Sequence, residues 1–332
     1  MHMSDALLSP PVAITAGVAA AALIVVAGRN VRKSSADTRL VPMMGVMGAF
    51  VFAAQMINFT IPGTGSSGHI VGGILLSALL GPWAAFLTLA SVIIIQCLIF
   101  ADGGLMALGC NILNMGALSC LVAYPLIFKP VVGKKYTNGR IIAASLLACV
   151  IGLELGAVAV VGETEISGIT ALPAGPFLAF MTPIHLLIGI GEGLATAAVL
   201  CFVRSRRPEL IEGATKGTLP SRSFKRAVVW FAVAAVVLGG GLAWFASSNP
   251  DGLEWSIEKV AGTAELQPQQ VTAVSDAAST LQASTAIIPD YSSSLSGIIG
   301  SAMVVLLVWA VVSLVRRPSK VMQKVDDEDK PS

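Results

Sequence analysis

The chain has 332 residues, 55% of them hydrophobic and only 12% charged, with a formal net charge of +2. No soluble domain of ordinary composition carries so few charges. Apolar stretches long enough to cross a bilayer recur along it, which predicts an all-α polytopic membrane protein of a cell membrane.

The chain opens Met1-His2, and its other two histidines are His69 and His185. A free α-amine followed by histidine chelates a divalent ion through the Met1 amine, the backbone nitrogen of His2 and its Nδ1. The first pair closes a five-membered ring and the second a six-membered one. Such a set wants a planar nitrogen field, which suits Ni(II), and one further imidazole fills the fourth corner. Ahead of the first apolar run lie Asp5 and no Lys or Arg. The basic stretch of a signal peptide is missing, so cleavage is not expected. The bulky His2 is also expected to hinder removal of Met1. Pro10-Pro11 supplies a stiff hinge and helix start from which the tip can fold inward.

Nine spans are predicted, near 9–28, 41–60, 68–82, 84–100, 104–127, 141–161, 174–203, 227–246 and 297–315. The third is short and Gly-rich. Arg29, Arg32, Lys33 and Arg39 follow the first span, and Lys129, Lys134, Lys135 and Arg140 the fifth. Arg204, Arg206 and Arg207 follow the seventh, with Lys216, Arg222, Lys225 and Arg226 before the eighth. Arg316, Arg317, Lys320, Lys324 and Lys330 close the chain. Nine spans put all of these on one side and leave only Lys259 on the other. Positive charge stays cytoplasmic, so the N-terminus is expected outside and the C-terminus inside, with Glu163 and Glu165 in an outer loop. The expected units are 1–204 (seven spans), a cytoplasmic linker 205–224, a two-span unit 225–320 with an external loop, and a polar tail 321–332. The loop, 247–295, is rich in Ser, Ala, Thr and Gln and is expected to be largely disordered. No internal repeat supports an inverted-repeat transporter.

His69 lies in a stretch, 63–73, with five glycines among Ser and Thr. This is poor lipid-facing helix and good turn, and a polar residue at such a break faces the interior. His69 is the expected fourth metal ligand beside Met1 and His2. Asp5 and Asp102 are candidates to bond an imidazole N–H behind the metal. Asn111 and Asn114 share a helix face; a clamp between helices and a place behind the ligands both remain open. His185 and Glu192, two turns apart, also share a face, and either proton coupling or packing accounts for them; Glu154 is similar. The five cysteines form no CxxC pair and read as packing residues, as do the many methionines, for which a Cu(I) relay is the sharper alternative. No Walker A, HExxH, GxSxG or dinucleotide fingerprint is present, so no enzyme is expected and any ATP is hydrolysed elsewhere.

These residues resemble a known family. Met1-His2-Met3-Ser-Asp-Ala-Leu-Leu-Ser9, Gly65-Ser-Ser-Gly-His69, and the run from Asp102 through Asn111 and Asn114 to Gly116 are similar to CbiM/NikM. These are the substrate-capture membrane components of energy-coupling factor transporters for cobalt and nickel. Pro250-Asp251-Gly252-Leu253-Glu254-Trp255 resembles the motif of the small CbiN/NikN partner, so the chain looks like a fusion of the two. The resemblance implies a seven-helix capture unit whose cargo, Co(II) or Ni(II), is held by Met1, His2 and His69, with no resident cofactor. It also implies a transmembrane coupling subunit (CbiQ/NikQ-like) and cytoplasmic ATPases (CbiO/NikO-like). The small partner acts on loading or gating, where Asp251 and Glu254 are placed to assist. The chain departs from the family at Asp102, often His, and at Cys110, often Ala. Two other functions compete: an autonomous divalent-cation carrier or channel, and a metal sensor or scaffold that binds without transport.

Overall fold

The computed structural model describes residues 1–34, 40–211, 221–264, 266, 272–291, 293 and 295–316, with the backbone alone for 34, 209, 221–224 and 314–316. Arg39, Lys216, residues 212–220 of the expected linker and the tail 321–332 lie outside the described residues, as do the basic residues from Arg317 onward.

Helix α1 (Pro10–Ser34) starts on two prolines, where a missing N–H costs nothing. Helix α2 (Leu40–Gln55) leads into a small antiparallel hairpin, β1 (Phe59–Ile61) and β2 (Ser66–Gly68), with Phe59 opposite Gly68. Gly63 and Gly65, at φ 78° and 75°, make its turn. Helix α3 (Gly73–Leu80) and helix α4 (Pro82–Phe100) are separated by Gly81, whose φ of 80° breaks the rod. Then come α5 (Leu108–Val132), with π-type bonding over Ile112–Phe128, α6 (Asn138–Ser167) and α7 (Ala174–Arg206). The C-terminal part holds α8 (Ser221–Gly240), α9 (Gly252–Ala261), α10 (Ala273–Thr285) and α11 (Ser296–Arg316).

Six of these helices, α1, α4, α5, α6, α7 and α11, are long and apolar enough to cross a bilayer, and the chain is a multi-pass membrane protein. The third expected span is corrected. Its helix α3 has eight residues, and at 1.5 Å per residue reaches about 12 Å, well short of a hydrocarbon core of about 30 Å. It is buried over its whole length as a core half-helix, because Gly72 and Gly81 stop it at both ends. The eighth span ends early, at Gly240, in a turn at Leu242–Phe245. Glu163 and Glu165 lie in the last turns of α6 and not in a loop.

Helix α4 is the hub: 78% of its apolar window is buried, against 28% for α1. Helices α6 and α7 pack along their length because α7 offers glycines at the contact. A Cβ on Gly189 or Gly193 would lie 2.8 Å from the Cα of Val150 or Leu146. The C-terminal unit closes over α2 and α4, with Ser301 Oγ donating to Ala49 O at 3.2 Å. The expected disorder of 247–295 is overturned for its described residues. Ser247 N–H bonds Asn58 O (2.8 Å), Ile288 N–H bonds Ile99 O (3.1 Å), and Gln282 Nε2 donates to Gly103 O (2.7 Å). A loop poor in apolar residues orders here because its partners are exposed backbone carbonyls of the bundle.

Candidate metal centre

The N-terminal tip is drawn into the bundle. Met1, Met3, Leu7 and Leu8 are buried, none more than 5% exposed. Burying a chain end strips water from its backbone, so each polar group needs a replacement partner. Asn111 on α5 supplies two: its Oδ1 accepts Met3 N–H at 2.8 Å and its Nδ2 donates to Met3 O at 3.3 Å. Gly104 N–H adds a bond to Met3 O at 2.9 Å. Gly156 on α6 leaves room for the Met1 side chain, since a Cβ there would lie 2.6 Å from Met1 Cε.

That threading sets the Met1 amine 3.3 Å from His69 Nε2, although the two are 68 residues apart. His69 Nδ1 donates to Ile70 O at 3.1 Å, which leaves the Nε2 lone pair turned to the amine. The rings of His2 and His69 lie nearly parallel, 16° apart, with centroids 5.5 Å apart. Burial, then the Met1 ammonium, then His2 push the His69 pKa down to about 3, so this imidazole is neutral and ready to donate electrons.

The amine has a second partner. Asp251 Oδ2 accepts it at 2.7 Å, while Asp251 Oδ1 caps α9 through the N–H groups of Leu253 and Glu254, both at 2.8 Å. Glu254 closes the capping box on Asp251 N–H at 3.0 Å. Burial pushes the Asp251 carboxyl up, but the Met1 ammonium, through its charge and its hydrogen bond, and the Glu254 N–H outweigh it and hold it well below the usual range. Pro250 O accepts Ser67 N–H on the edge of β2 at 2.8 Å, Leu253 is buried, and Trp255 Nε1 donates to Thr64 O at 3.0 Å. The segment 250–255 thus seats directly on the His69 hairpin.

His2 Nδ1 lies 3.0 Å from Asp102 Oδ1, and its Nε2 lies 3.2 Å from Gln96 Oε1. Both ring nitrogens face oxygens, so Nδ1 donates to a carboxylate and is turned away from the chelate. Burial pushes Asp102 up, but His2 and a 2.6 Å bond from Tyr291 Oη outweigh it and hold it well below the usual range.

One expected position is corrected, and the residues with two open readings sit as clamps and packing groups. Asp5 does not meet an imidazole; its Oδ1 accepts Ala107 N–H at 3.0 Å and ties the tip to the loop before α5. Burial raises its pKa against those backbone bonds. Asn111 clamps Met3 and no imidazole, and Asn114 donates to Glu163 Oε2 at 2.8 Å. Glu192 is not coupled to His185: it accepts Gly72 and Val71 N–H at 2.8 and 3.0 Å, holding the entry to α3. His185 Nδ1 bonds Met181 O at 2.8 Å. Gln96, Gln55 and Tyr291 were missed. The signal for the two glutamines was an amide inside an apolar run, and Gln96 Nε2 indeed donates to Gln55 Oε1 at 3.0 Å.

His2, His69, Asp102, Asp251 and Glu254 face a cavity of about 1230 Å³ between the bundle and the C-terminal unit. Among the described residues no cluster of three or more His, Cys, Asp or Glu side chains forms a ready cage. Half of the nitrogens gathered here, the Met1 amine and the His2 amide, belong to the backbone.

Comparison with known proteins identifies the family. Residues 2–210 match the family model described as CbiM, cobalt uptake substrate-specific transmembrane region, and residues 225–317 match the PDGLE domain. A putative fused nickel transport protein NikMN of Archaeoglobus fulgidus is 36% identical over 64% of this chain and 68% of its own length. The fused nickel transport protein NikMN of Rhodobacter capsulatus is 28% identical over 78% and 76%. A crystal structure of a truncated transition metal transporter, 31% identical, superposes with a TM-score of 0.53 over 62% of this chain and 99% of its own. Such relatives are transport proteins and not enzymes. The chain belongs to the cobalt-uptake CbiM family and carries a PDGLE domain fused behind it.

Proposed function

We propose that this chain is the metal-capturing component of an ATP-driven importer for Ni(II) or Co(II). The Met1 amine, the His2 amide nitrogen and Nδ1, and His69 Nε2 form the planar nitrogen set. The carrying observation is the 3.3 Å approach of the amine to His69 Nε2. Neighbouring nitrogens of a planar complex with bonds of about 2.0 Å lie about 2.8 Å apart, a small adjustment away. In the unloaded site a proton bridges these two nitrogens, and the ion takes its place.

Loading then asks for one rotation. His2 Nδ1 must leave Asp102, give up its proton and turn to the ion, with the ring proton then on Nε2, where it can bond a carboxylate or Gln96. With the amide deprotonated the four nitrogens carry a charge of −1, so the loaded site is +1. Asp102 and Asp251 stand beside it to balance that charge. The large acidic cavity is the approach from outside. In this scheme the N-terminus is outside and the C-terminus cytoplasmic, and 1–204 captures while 225–320 covers the site. A coupling membrane subunit and cytoplasmic ATPases drive release.

The test is metal content and affinity of the purified full chain beside His2→Ala, His69→Ala and a variant with Gly-Ser placed ahead of Met1. Near-equimolar Ni(II) or Co(II) lost in all three supports the chelate, and competition between the ions names the cargo. Uptake by cells with and without the ATPase partners tests the energy source. Uptake that persists without them would favour an autonomous carrier.

A further inference from the structure

His185 on α7 is 1% exposed, and its Nε2 has no hydrogen-bond partner. Its other nitrogen, Nδ1, faces the carbonyl of Met181 and so carries the proton. The unpaired Nε2 of a neutral imidazole is therefore a lone pair. A buried acceptor left empty costs free energy and calls for an explanation.

The surroundings supply one. Met1, His69, Asp251, Gly252 and His185 line one small chamber of about 10 Å³. That is the room of a single water or a single desolvated ion. Gly252 forms its roof: a Cβ there would lie 3.1 Å from His185 Cε1 and 3.3 Å from Nε2. A side chain at 252 would press first on Ile188 Cδ1, 2.7 Å from that Cβ, and would also cover the lone pair. A second chamber of the same size, lined by Met1, Asn114 and Glu192 among others, follows deeper along α7. The order of spaces is thus the outer cavity with His2 and His69, the His185 chamber behind the amine, and then the Glu192 chamber.

We propose that His185 Nε2 is a transfer ligand for the divalent cation, taking it from the Met1–His2–His69 set as it moves inward. This rests on the capture set proposed above. The ion exchanges one imidazole nitrogen for another, so it crosses the small chamber without ever standing unligated. Glycine at 252 keeps that route open.

The test pairs two measurements on the full chain: equilibrium Ni(II) and Co(II) affinity after purification, and radioactive metal uptake by cells that also make the transport partners. His185→Gln and Gly252→Ala are the variants; the second leaves the imidazole in place and carries the test if the first fails to fold. Both should hold affinity within about threefold of the parent and lower uptake by about tenfold or more, the scale of a lost metal partner. Parental uptake by His185→Gln would overturn the proposal and leave the chamber to a structural water. Affinity lost as in His69→Ala would also overturn it, by placing His185 in the capture set itself. Parental affinity in His69→Ala would fail the capture set instead, and the transfer step with it.

Discussion

Two short segments meet at the Met1 amine, and they are held in opposite ways. The tip, residues 1–8, is fastened from outside itself. Asn111 takes both backbone groups of Met3, Gly104 adds a third bond, and Ala107 holds Asp5. The segment 250–254 is fastened mainly by itself. Asp251 and Glu254 close their own capping box, and its bonds to the bundle run to the edge of a two-stranded hairpin. The first arrangement preorganises a donor set; the second makes a preformed cover that can lift as a unit without unravelling. Among the described residues one ion pair, Met1 to Asp251, joins the two.

The comparison breaks most severely if the tip is not the ligand. Placing residues ahead of Met1, or changing His69 to Ala, should cost more than about 100-fold in Ni(II) or Co(II) affinity, beyond the range of losses behind a metal. The chelate also requires loss of the ammonium proton and the His2 amide proton. Two protons released per ion make affinity fall about 100-fold for each pH unit of acidification near neutrality. A titration flat between about pH 6 and 8 would sink the amide ligand.

Asn111→Ala tests the fastening of the tip. It leaves Met3 N–H unpaired in a buried site, at a cost of about 1–3 kcal/mol. Metal affinity should fall about 10- to 100-fold with the ligands untouched. An unchanged affinity would mean that the metal, and not α5, folds the tip inward.

Asp251→Asn sharpens the other half. Asn caps helices as well as Asp does, so α9 should stay formed while the charge beside the amine is removed. Affinity should fall about tenfold, with a weaker dependence on salt than in the parent. Tighter binding instead would show that Asp251 competes with the ion for the amine.

The same contrast governs what could be seen in the sequence. The tip was legible because its chemistry is local: amine, amide and imidazole are adjacent in the chain, and His69 announces itself as a polar residue among glycines. The long helices were legible from apolar run length. Helix α3 was not, because an eight-residue buried half-helix and a membrane span look alike until Gly72 and Gly81 are seen to stop it. The described residues of 247–295 depart from the expected disorder because their anchors, Gln282, Ile288 and Pro250, bond backbone groups of the bundle. Composition records what a segment can bury and says nothing of the carbonyls it will find. Asp5 departs from expectation for a related reason: a carboxylate near an expected metal suggests an imidazole partner, yet it accepts a backbone N–H left free where a helix begins, as Glu192 does at α3.

The smallest effect lies farthest from the ion, at Tyr291. Its hydroxyl donates to Asp102 Oδ2 at 2.6 Å, and its ring stacks on Phe100 with centroids 4.7 Å apart. Tyr291→Phe keeps the stack and removes only that bond, so α10 and α11 should stay docked. Asp102 then loses the partner that fixes its second oxygen and is free to follow His2 Nδ1 or release it. A hydrogen bond to a charged group contributes about 1.5–3 kcal/mol, but most of it is recovered by water in so large a cavity. Metal affinity should therefore shift only about two- to threefold, while the rate of loading, measured by stopped-flow with Co(II), rises as His2 turns more easily. A larger loss of affinity would show that the C-terminal unit holds the site through Asp102 as firmly as it does through Asp251.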